Sequence, residues 1–253
     1  MSASSDPRIR PLGIVAALPE ELGGLLDDMH AAPDSRCVRL GMRDYYAGTL
    51  HGQACVLTLA RVGKVAAAVT ASALIHHFDV QGIVFTGVAG GVAPSVRVGD
   101  IVVARDALQH DMDASPFFAR YEVPLLGCTR FVADPRLSAR LARAAERFLA
   151  QHGSDRGRRA CLHQGTIISG DRFVAGQEAL AALRRELPDA LAVEMEGAAI
   201  AQVCHEYGLP FAVIRAISDG ADDAAAPDFA RFVREVASVY AQGVMRQFLA
   251  DVH

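Results

Sequence analysis

Apolar and polar positions alternate along this chain with two different periods. Short runs of apolar and β-branched residues predict strands, whereas longer segments with apolar residues three or four positions apart predict helices. The predicted strands are residues 12–18, 44–50, 53–59, 82–86, 100–107, 166–169, 191–193 and 211–217. The predicted helices are residues 20–30, 64–77, 136–151, 177–187, 197–208 and 229–249.

The order of these elements predicts the fold class. Strands and helices alternate throughout, and His51-Gly52 between two strands predicts a hairpin. No internal repeat, Pro/Ser-rich linker or block of charge marks a second domain. We therefore expect residues 12–253 to form a single α/β domain, with helices flanking a central mixed sheet, after a disordered lead-in over residues 1–11.

Two apolar runs near the C-terminal end each lead into a pair of carboxylates. The first run precedes Glu194 and Glu196, and the second precedes Asp219 and Asp222. With a helix between them, the runs predict two parallel strands, whose carboxyl ends are where open α/β sheets bind ligands. Carboxylates there are candidates for acid–base chemistry. The alternative is that they cap helices or stay solvated.

A further pair of acids follows the first predicted strand. Pro19 suits the first turn of a helix, and Glu20 and Glu21 would favour its positive end, so a purely structural role is open beside a functional one. A glycine-rich segment, residues 87–91, directly follows another strand. It predicts either a simple turn or a backbone that approaches a ribose or an anion closely, but it lacks a dinucleotide or P-loop signature.

Composition narrows the class of protein. Of 253 residues, 51% are hydrophobic and 21% charged, which is typical of a compact soluble enzyme. The formal net charge of −4 does not favour binding to nucleic acid or an anionic membrane. No apolar run reaches the ~20 residues that span a bilayer. The N-terminus lacks the basic-then-apolar order of a secretion signal, so we expect a cytoplasmic protein.

Cysteine and histidine usage does not predict disulfides or a metal site. The cysteines are an odd number without a CxxC pair, which favours free thiols in a reducing cytoplasm: Cys37, Cys55, Cys128, Cys161 and Cys204. The pairs His76-His77 and His110-Asp111 lack zinc-ligand spacing. We expect neither a metal nor a cofactor.

Seven segments together carry a family resemblance. They are GIVAALPEEL (13–22), VGKVAAA (62–68), TGVAGGVAPSVRVGDIVVA (86–104), QHDMD (109–113), SGDRFVAG (169–176), AVEMEGAAIAQVC (192–204) and RAISDGAD (215–222). In this order the chain resembles the purine nucleoside phosphorylase and nucleosidase superfamily, and most closely its 5′-methylthioadenosine/S-adenosylhomocysteine nucleosidases. The resemblance covers nearly all of the chain from Leu12 and implies the nucleoside phosphorylase-like fold.

The same resemblance implies water rather than phosphate as the nucleophile. Phosphorylases of the superfamily hold phosphate with arginines near the glycine-rich segment and in a loop after the first strand. Here these places carry Phe85-Thr86 and LPEEL, and an acid in an anion site would repel phosphate. Arg61 is the basic residue that weakens this argument, and its alternative role is a solvated strand end.

The resemblance also assigns roles to particular residues. Asp219 would protonate purine N7, Glu196 would bind the ribose hydroxyls and help hold the water, and Glu21 would activate that water. The positions expected to bind substrate in the same chain are Leu18, Val62, Val88, Phe173, Val174, Met195, Arg215, Ser218 and Phe229. Among these, Phe173 would stack on adenine; from the residues alone, a core aromatic is the more common reading of Phe173.

Three further positions match residues that reach into a neighbouring subunit's site in the family. They are Ala114, Phe117 and Pro124, and they imply a homodimer whose two sites are completed across the interface. From the sequence alone this segment is equally well a surface loop.

These predictions converge on a hydrolase that releases adenine from methylthioadenosine and S-adenosylhomocysteine. Asp219 also suits an amino purine, since superfamily enzymes that prefer oxo purines carry asparagine there. Three alternatives stay open: a phosphorylase of the same fold, a nucleosidase for another 5′-substituent, and a non-catalytic nucleoside-binding protein.

Overall fold

The structure, a computed structural model, describes residues 10–152, 154–155 and 158–251. The lead-in predicted over residues 1–11 lies outside this part of the chain except for Arg10 and Pro11. The Arg10 side chain is fixed there: it donates hydrogen bonds to the carbonyl oxygens of Asp79 and Val80 at 3.0 and 2.9 Å.

The described residues form an α/β domain around a ten-stranded mixed sheet, which confirms the predicted fold class. The strands are β1 (Leu12–Ala16), β2 (Arg36–Leu40), β3 (Arg43–Leu50), β4 (Gln53–Leu59), β5 (Gly82–Gly91), β6 (Ile101–Gln109), β7 (Phe131–Val132), β8 (Ser154–Asp155), β9 (Arg158–Arg159), β10 (Leu162–Ser169), β11 (Ala190–Glu194) and β12 (Phe211–Asp219). The α-helices are α1 (Gly23–Ala31), α2 (Lys64–Phe78), α3 (Pro135–His152), α4 (Gln177–Glu186), α5 (Gly197–Glu206), α6 (Ala225–Phe232) and α7 (Ser238–Ala250).

Across the sheet the order of strands is β11-β10-β6-β12-β5-β1-β4-β3-β2, with β7 on β6 and a separate small hairpin of β8 and β9. Strands β5 and β12 are buried along their whole length, as expected of strands covered on both faces. Helices α2 and α5 pack on one face and α1, α3 and α7 on the other. None of the helices in the described ranges is long and apolar enough to cross a membrane.

The prediction that the two acid-bearing strands are parallel is wrong. Strand β11 pairs antiparallel with β5, whereas β12 pairs parallel with β5, so β11 and β12 run in opposite senses. The cause is curvature: β11 also pairs with β10, and the strands β5, β11, β10, β6 and β12 close into a ring of paired neighbours.

The glycine-rich segment is not a turn, because it continues β5 to Gly91. Gly90 and Gly91 pair with Val193 and Ala192 of β11. At Gly87 a Cβ atom would lie 2.5 Å from Arg215 Nη1 and 2.6 Å from Glu21 Oε1, closer than a Cβ contact allows. The glycine thus lets the strand pass directly against two charged side chains.

Other differences concern the ends of elements. The hairpin of β3 and β4 is confirmed, with Leu50 paired to Gln53. Strand β2 was not predicted, because only a short polar-rich run marks it. The predicted N-terminal helix is a 3₁₀ turn, Pro19–Glu21, followed by α1. The predicted terminal helix is three segments, α6, a π-helical turn at Val233–Ala237, and α7.

Candidate active site

A cavity of about 410 Å³ opens where the ends of β1, β5, β11 and β12 meet the loop before α4 and helix α6. Most of the predicted substrate and catalytic residues line it. Those are Leu18, Glu21, Val62, Val88, Phe173, Val174, Met195, Glu196, Asp219 and Phe229. The lining residues that the sequence does not indicate are Ala17, Ala89, Gly90, Arg172 and Val193. Glu194 also lines the cavity, and the sequence gives it as a candidate carboxylate without a specific role.

Glu21 is buried, whereas its neighbour Glu20 is exposed. The 3₁₀ turn that begins at Pro19 directs the Glu21 carboxylate inward, where it accepts hydrogen bonds from the backbone N–H groups of Ala17, Leu18 and Val88 at 2.8, 2.8 and 2.9 Å. Burial raises the pKa of Glu21, while the Arg215 guanidinium and these three donors oppose that rise. The donors therefore favour the carboxylate form that a general base needs.

Arg215 and Glu194 form a buried ion pair at the centre of the site. Arg215 Nη2 lies 2.5 Å from Glu194 Oε2, and the guanidinium carbon lies 3.8 Å from the centroid of the Phe85 ring. Both charged side chains are almost completely excluded from solvent. Arg215 does not line the cavity itself; it lies behind the lining carboxylates, close to Glu21.

Glu194 is the principal residue of the site that was not assigned from the sequence. Its carboxylate accepts hydrogen bonds from the Ser169 hydroxyl and from the backbone N–H groups of Glu196 and Gly197. The positive end of helix α5 also stabilises a carboxylate in this position. The available signal was its position at the end of an apolar strand, combined with a single arginine inside the apolar run of β12.

Glu196 lies in the same buried region, and its Oε1 accepts a hydrogen bond from the Gly63 N–H at 2.8 Å. Burial, and then the nearby negative charge of Glu194, raise the pKa of Glu196 to about 8. The raised pKa favours the protonated form, which can donate a hydrogen bond as well as accept one.

Asp219 ends β12 inside the cavity and is held at both oxygens. The Ser218 hydroxyl donates to Oδ2 at 2.8 Å, and the Ala221 N–H donates to Oδ1 at 2.9 Å. Burial raises the pKa of Asp219, which favours the protonated form. Asp222, by contrast, accepts a hydrogen bond from the Ala224 N–H beside the start of α6, so the capping alternative holds for that residue.

Two aromatic rings form an apolar wall of the cavity. Phe173 is 40% exposed and is therefore not the core aromatic that its residue type alone favours. Its ring packs edge-on against Phe229, with the centroids 5.4 Å apart. Val174 beside it is buried. This wall offers a face on which a planar base can stack.

The three residues predicted to serve a neighbouring subunit lie away from this chain's own cavity: Ala114, Phe117 and Pro124. The segment that carries them is tied to the site through Asp111, whose carboxylate accepts from Lys64 Nζ at 2.6 Å and from the Asp171 N–H at 2.9 Å. Lys64 N in turn donates to the Asp171 side chain. The loop therefore has a fixed position beside the start of α2.

Cationic groups are few at the cavity. Arg61 lies outside it and is exposed, and its guanidinium donates to the carbonyl oxygen of Met42. Arg172 is the lining arginine, and the charge of Arg215 is paired with Glu194. Within the described residues no group of three or more His, Cys, Asp or Glu side chains is arranged to hold a metal ion.

Comparisons with known proteins place this geometry in a family. Residues 11–250 match the model of the Phosphorylase superfamily. A 5′-methylthioadenosine/S-adenosylhomocysteine nucleosidase from Actinobacillus succinogenes is 38% identical over 226 residues, covering 88% of this chain and 91% of that protein.

Solved structures agree with this assignment. The nucleosidase of the same name from Neisseria meningitidis, in complex with methylthio-immucillin-A, is 34% identical with a TM-score of 0.86, covering 96% of this chain and 100% of that one. The futalosine hydrolase of Helicobacter pylori is 31% identical with a TM-score of 0.83, covering 94% and 97%. The chain therefore belongs to the Phosphorylase superfamily and, within it, to the family of 5′-methylthioadenosine/S-adenosylhomocysteine nucleosidases.

Proposed function

We propose that this protein hydrolyses the N-glycosidic bond of methylthioadenosine and S-adenosylhomocysteine, releasing adenine and the free thio-sugar. The observation that carries the proposal is one cavity lined by buried carboxylates, among them Glu21, Glu196 and Asp219 on separate segments, opposite an aromatic wall. The relatives named for this activity support it, among them the structure that holds a methylthio-immucillin.

Asp219 is the proposed general acid. As the C1′–N9 bond breaks, electrons flow into the purine, and a proton on N7 neutralises the leaving group. The raised pKa of Asp219 keeps a proton available for this step. Ser218 supports the same role, because its hydroxyl fixes the carboxyl group that must meet N7. The base would lie between Asp219 and the aromatic wall of Phe173 and Phe229, with the Val174 backbone at its edge.

Glu196 and Glu21 are proposed to act at the sugar. Protonated Glu196 can both donate to and accept from ribose hydroxyls, with Met195 packed against the ring. Glu21 takes a proton from the water whose oxygen bonds to C1′, and the positive charge of Arg215 nearby orients its carboxylate. Val88, whose N–H holds Glu21, and the apolar side chains of Leu18 and Val62 then face the 5′ side of the sugar.

Electrostatics favour water over phosphate as the nucleophile. A phosphate beside Glu21 would meet a carboxylate, and Arg215, the arginine close to Glu21, is already paired with Glu194 at 2.5 Å. Water carries no charge, so a carboxylate does not repel it, and Glu21 can act as the base that accepts its proton. The chemistry of the site thus fits a hydrolase better than a phosphorylase.

The direct test is adenine release from methylthioadenosine, S-adenosylhomocysteine, 5′-deoxyadenosine, futalosine and inosine, each with and without phosphate. We expect release from the two thioether nucleosides at a rate that does not depend on phosphate, with free sugar as the second product. A sugar 1-phosphate as product, or turnover of futalosine without turnover of the thioethers, would contradict the proposal.

Substitution tests the acid. Asp219→Asn should lower kcat by on the order of 10²–10⁴, because asparagine keeps the shape of the side chain but cannot deliver a proton. Steady-state rates on methylthioadenosine measure this, with Asp27→Asn as the matched control, since Asp27 is exposed on α1 and lies outside the cavity. If the two variants have similar, near-normal rates, Asp219 is not the acid.

The adjacent pair of glutamates provides a control for the base. Glu21→Gln should lower kcat by on the order of 10²-fold or more while adenine-nucleoside binding stays measurable, since the amide cannot accept the proton of water. Glu20→Gln should leave turnover unchanged, because Glu20 is exposed and lies outside the cavity. Equal activity of both variants would mean that the water is activated elsewhere.

We also infer a homodimer in which Ala114, Phe117 and Pro124 complete the partner's site. Exposed apolar side chains support it: Val65 and Val69 on α2, and Phe117 and Leu125 on the loop fixed by Asp111. Phe117 is 87% exposed, an unusual state for a large apolar ring that meets only water.

Charge placed on this surface should separate the subunits. Val65→Asp introduces a carboxylate into the first turn of α2, where it suits the helix but would be buried in the proposed interface. Sedimentation should show a smaller species with reduced activity. Val132→Asp, at an equally exposed valine on β7, should remain dimeric. A monomeric parent protein, or identical behaviour of both variants, would refute the interface.

We also propose a cytoplasmic location, as the sequence predicts. All five cysteines are free, and Cys37 and Cys161 are exposed, which suits a reducing compartment. Fractionation of the source cells would test this location; recovery of the protein outside the cytoplasm would contradict it.

A further inference from the structure

A second, smaller cavity of about 200 Å³ adjoins the candidate active site. We call it the rim cavity, and its lining residues are Pro19, Leu22, Leu26, Met42, Arg43, Asp44, Tyr46, Leu59 and Arg61. Neighbouring residues of the chain line the two cavities at two places. Leu18 lines the active-site cavity and Pro19 the rim cavity; likewise, Val62 lines the active-site cavity and Arg61 the rim cavity.

The rim cavity carries both signs of charge. Arg43 and Arg61 provide two guanidinium groups, and Asp44 provides a carboxylate whose partner Arg39 lies 3.8 Å away on an exposed strand. In the described part of the chain the buried Nε of Arg43 has no hydrogen-bond partner, and its Nη2 makes only long contacts, 3.4 Å, to the carbonyl oxygens of Ala60 and Ala66. Because its Nη2 contacts are long, the Arg43 guanidinium, which lines the rim cavity, can pair with an anion there.

Arg61 also has an unusual backbone. Its φ angle is 66°, in the left-handed region that long side chains rarely adopt. The residue is exposed and its guanidinium holds only the carbonyl oxygen of Met42. Since neither packing nor an ion pair within the described residues accounts for an arginine at this strained position, the outlier points to a functional role.

The direction of the substrate links the two cavities. Gly63, directly after Val62, holds Glu196, and Leu18 holds Glu21, so Leu18 and Val62 stand beside the two carboxylates proposed to act at the sugar. The 5′ sulfur therefore faces this apolar pair. A methylthio group ends there, whereas a homocysteinyl group continues by two methylene groups to a carbon that carries a carboxylate and an ammonium.

We propose that the rim cavity binds the amino-acid end of S-adenosylhomocysteine, with Arg61 and Arg43 on its carboxylate and Asp44 on its ammonium. Arg61 is then a specificity-determining residue, needed for the zwitterionic substrate and not for methylthioadenosine. This inference rests on the proposed function, because it assumes that the nucleoside occupies the active-site cavity with its 5′ side toward Leu18 and Val62.

The test compares two substrates in one variant. Arg61→Asn keeps a residue that tolerates positive φ and removes the guanidinium. We expect kcat/KM for S-adenosylhomocysteine to fall about tenfold to a hundredfold, the usual effect of losing a charge-assisted hydrogen bond, with kcat/KM for methylthioadenosine within about twofold of the parent. Arg185→Asn, on the exposed side of α4, is the matched control and should change neither value.

A change in the substrate provides a second test. The parent protein should prefer S-adenosylhomocysteine to 5′-(3-aminopropylthio)-5′-deoxyadenosine, which lacks the carboxylate, and Arg61→Asn should remove that preference. Equal losses on methylthioadenosine and S-adenosylhomocysteine would show a structural role for Arg61, and no loss would show no role; either result overturns the inference. A parent protein inactive on methylthioadenosine would instead overturn the proposed function.

Discussion

The buried ion pair between Arg215 and Glu194 is the interaction on which the site depends. It joins the middle of β12 to the end of β11, two strands that are not paired with each other. Removing one partner of such a pair typically costs about 3–5 kcal/mol, because the other charge remains buried. The same pair sets the local field: Arg215 stabilises the charge of Glu21, whereas the charge of Glu194 raises the pKa of Glu196.

Three carboxylates of one cavity thereby acquire different properties. Glu21 receives three N–H donors and lies near a cation, Glu196 receives one donor and lies near an anion, and Asp219 lies apart with Ser218 as its partner. The surroundings of each carboxyl group, rather than its residue type, thus determine whether it favours the protonated or the charged form. An acid and a base that work in one small cavity require such a difference. The close approach of Gly87 makes this possible, since any side chain there would push Arg215 and Glu21 apart.

Much of the fold and of the site could be predicted from the sequence, for reasons that the structure makes plain. Local patterns suffice for β12 and for the hairpin of β3 and β4, and the acids at strand ends could be recognised because they interrupt apolar runs. The closure of the sheet could not be predicted from the sequence, since the pairing of β11 with β5 depends on curvature over many strands. For the same reason the ion pair of Glu194 could not be predicted: its partner Arg215 is distant in sequence and meets it only in the closed sheet.

A binding protein for nucleosides would not need this arrangement. Burying Glu21, Glu196 and Asp219 in one region costs free energy, as the raised pKa of each shows, and neutral hydrogen-bonding side chains would hold a ribose and a base at lower cost. The cost is offset in part by fixed donors, each aimed at one carboxylate. Carboxyl groups held in different environments within one cavity are typical of sites that carry out acid–base chemistry, so the arrangement favours an enzyme over a non-catalytic binding protein.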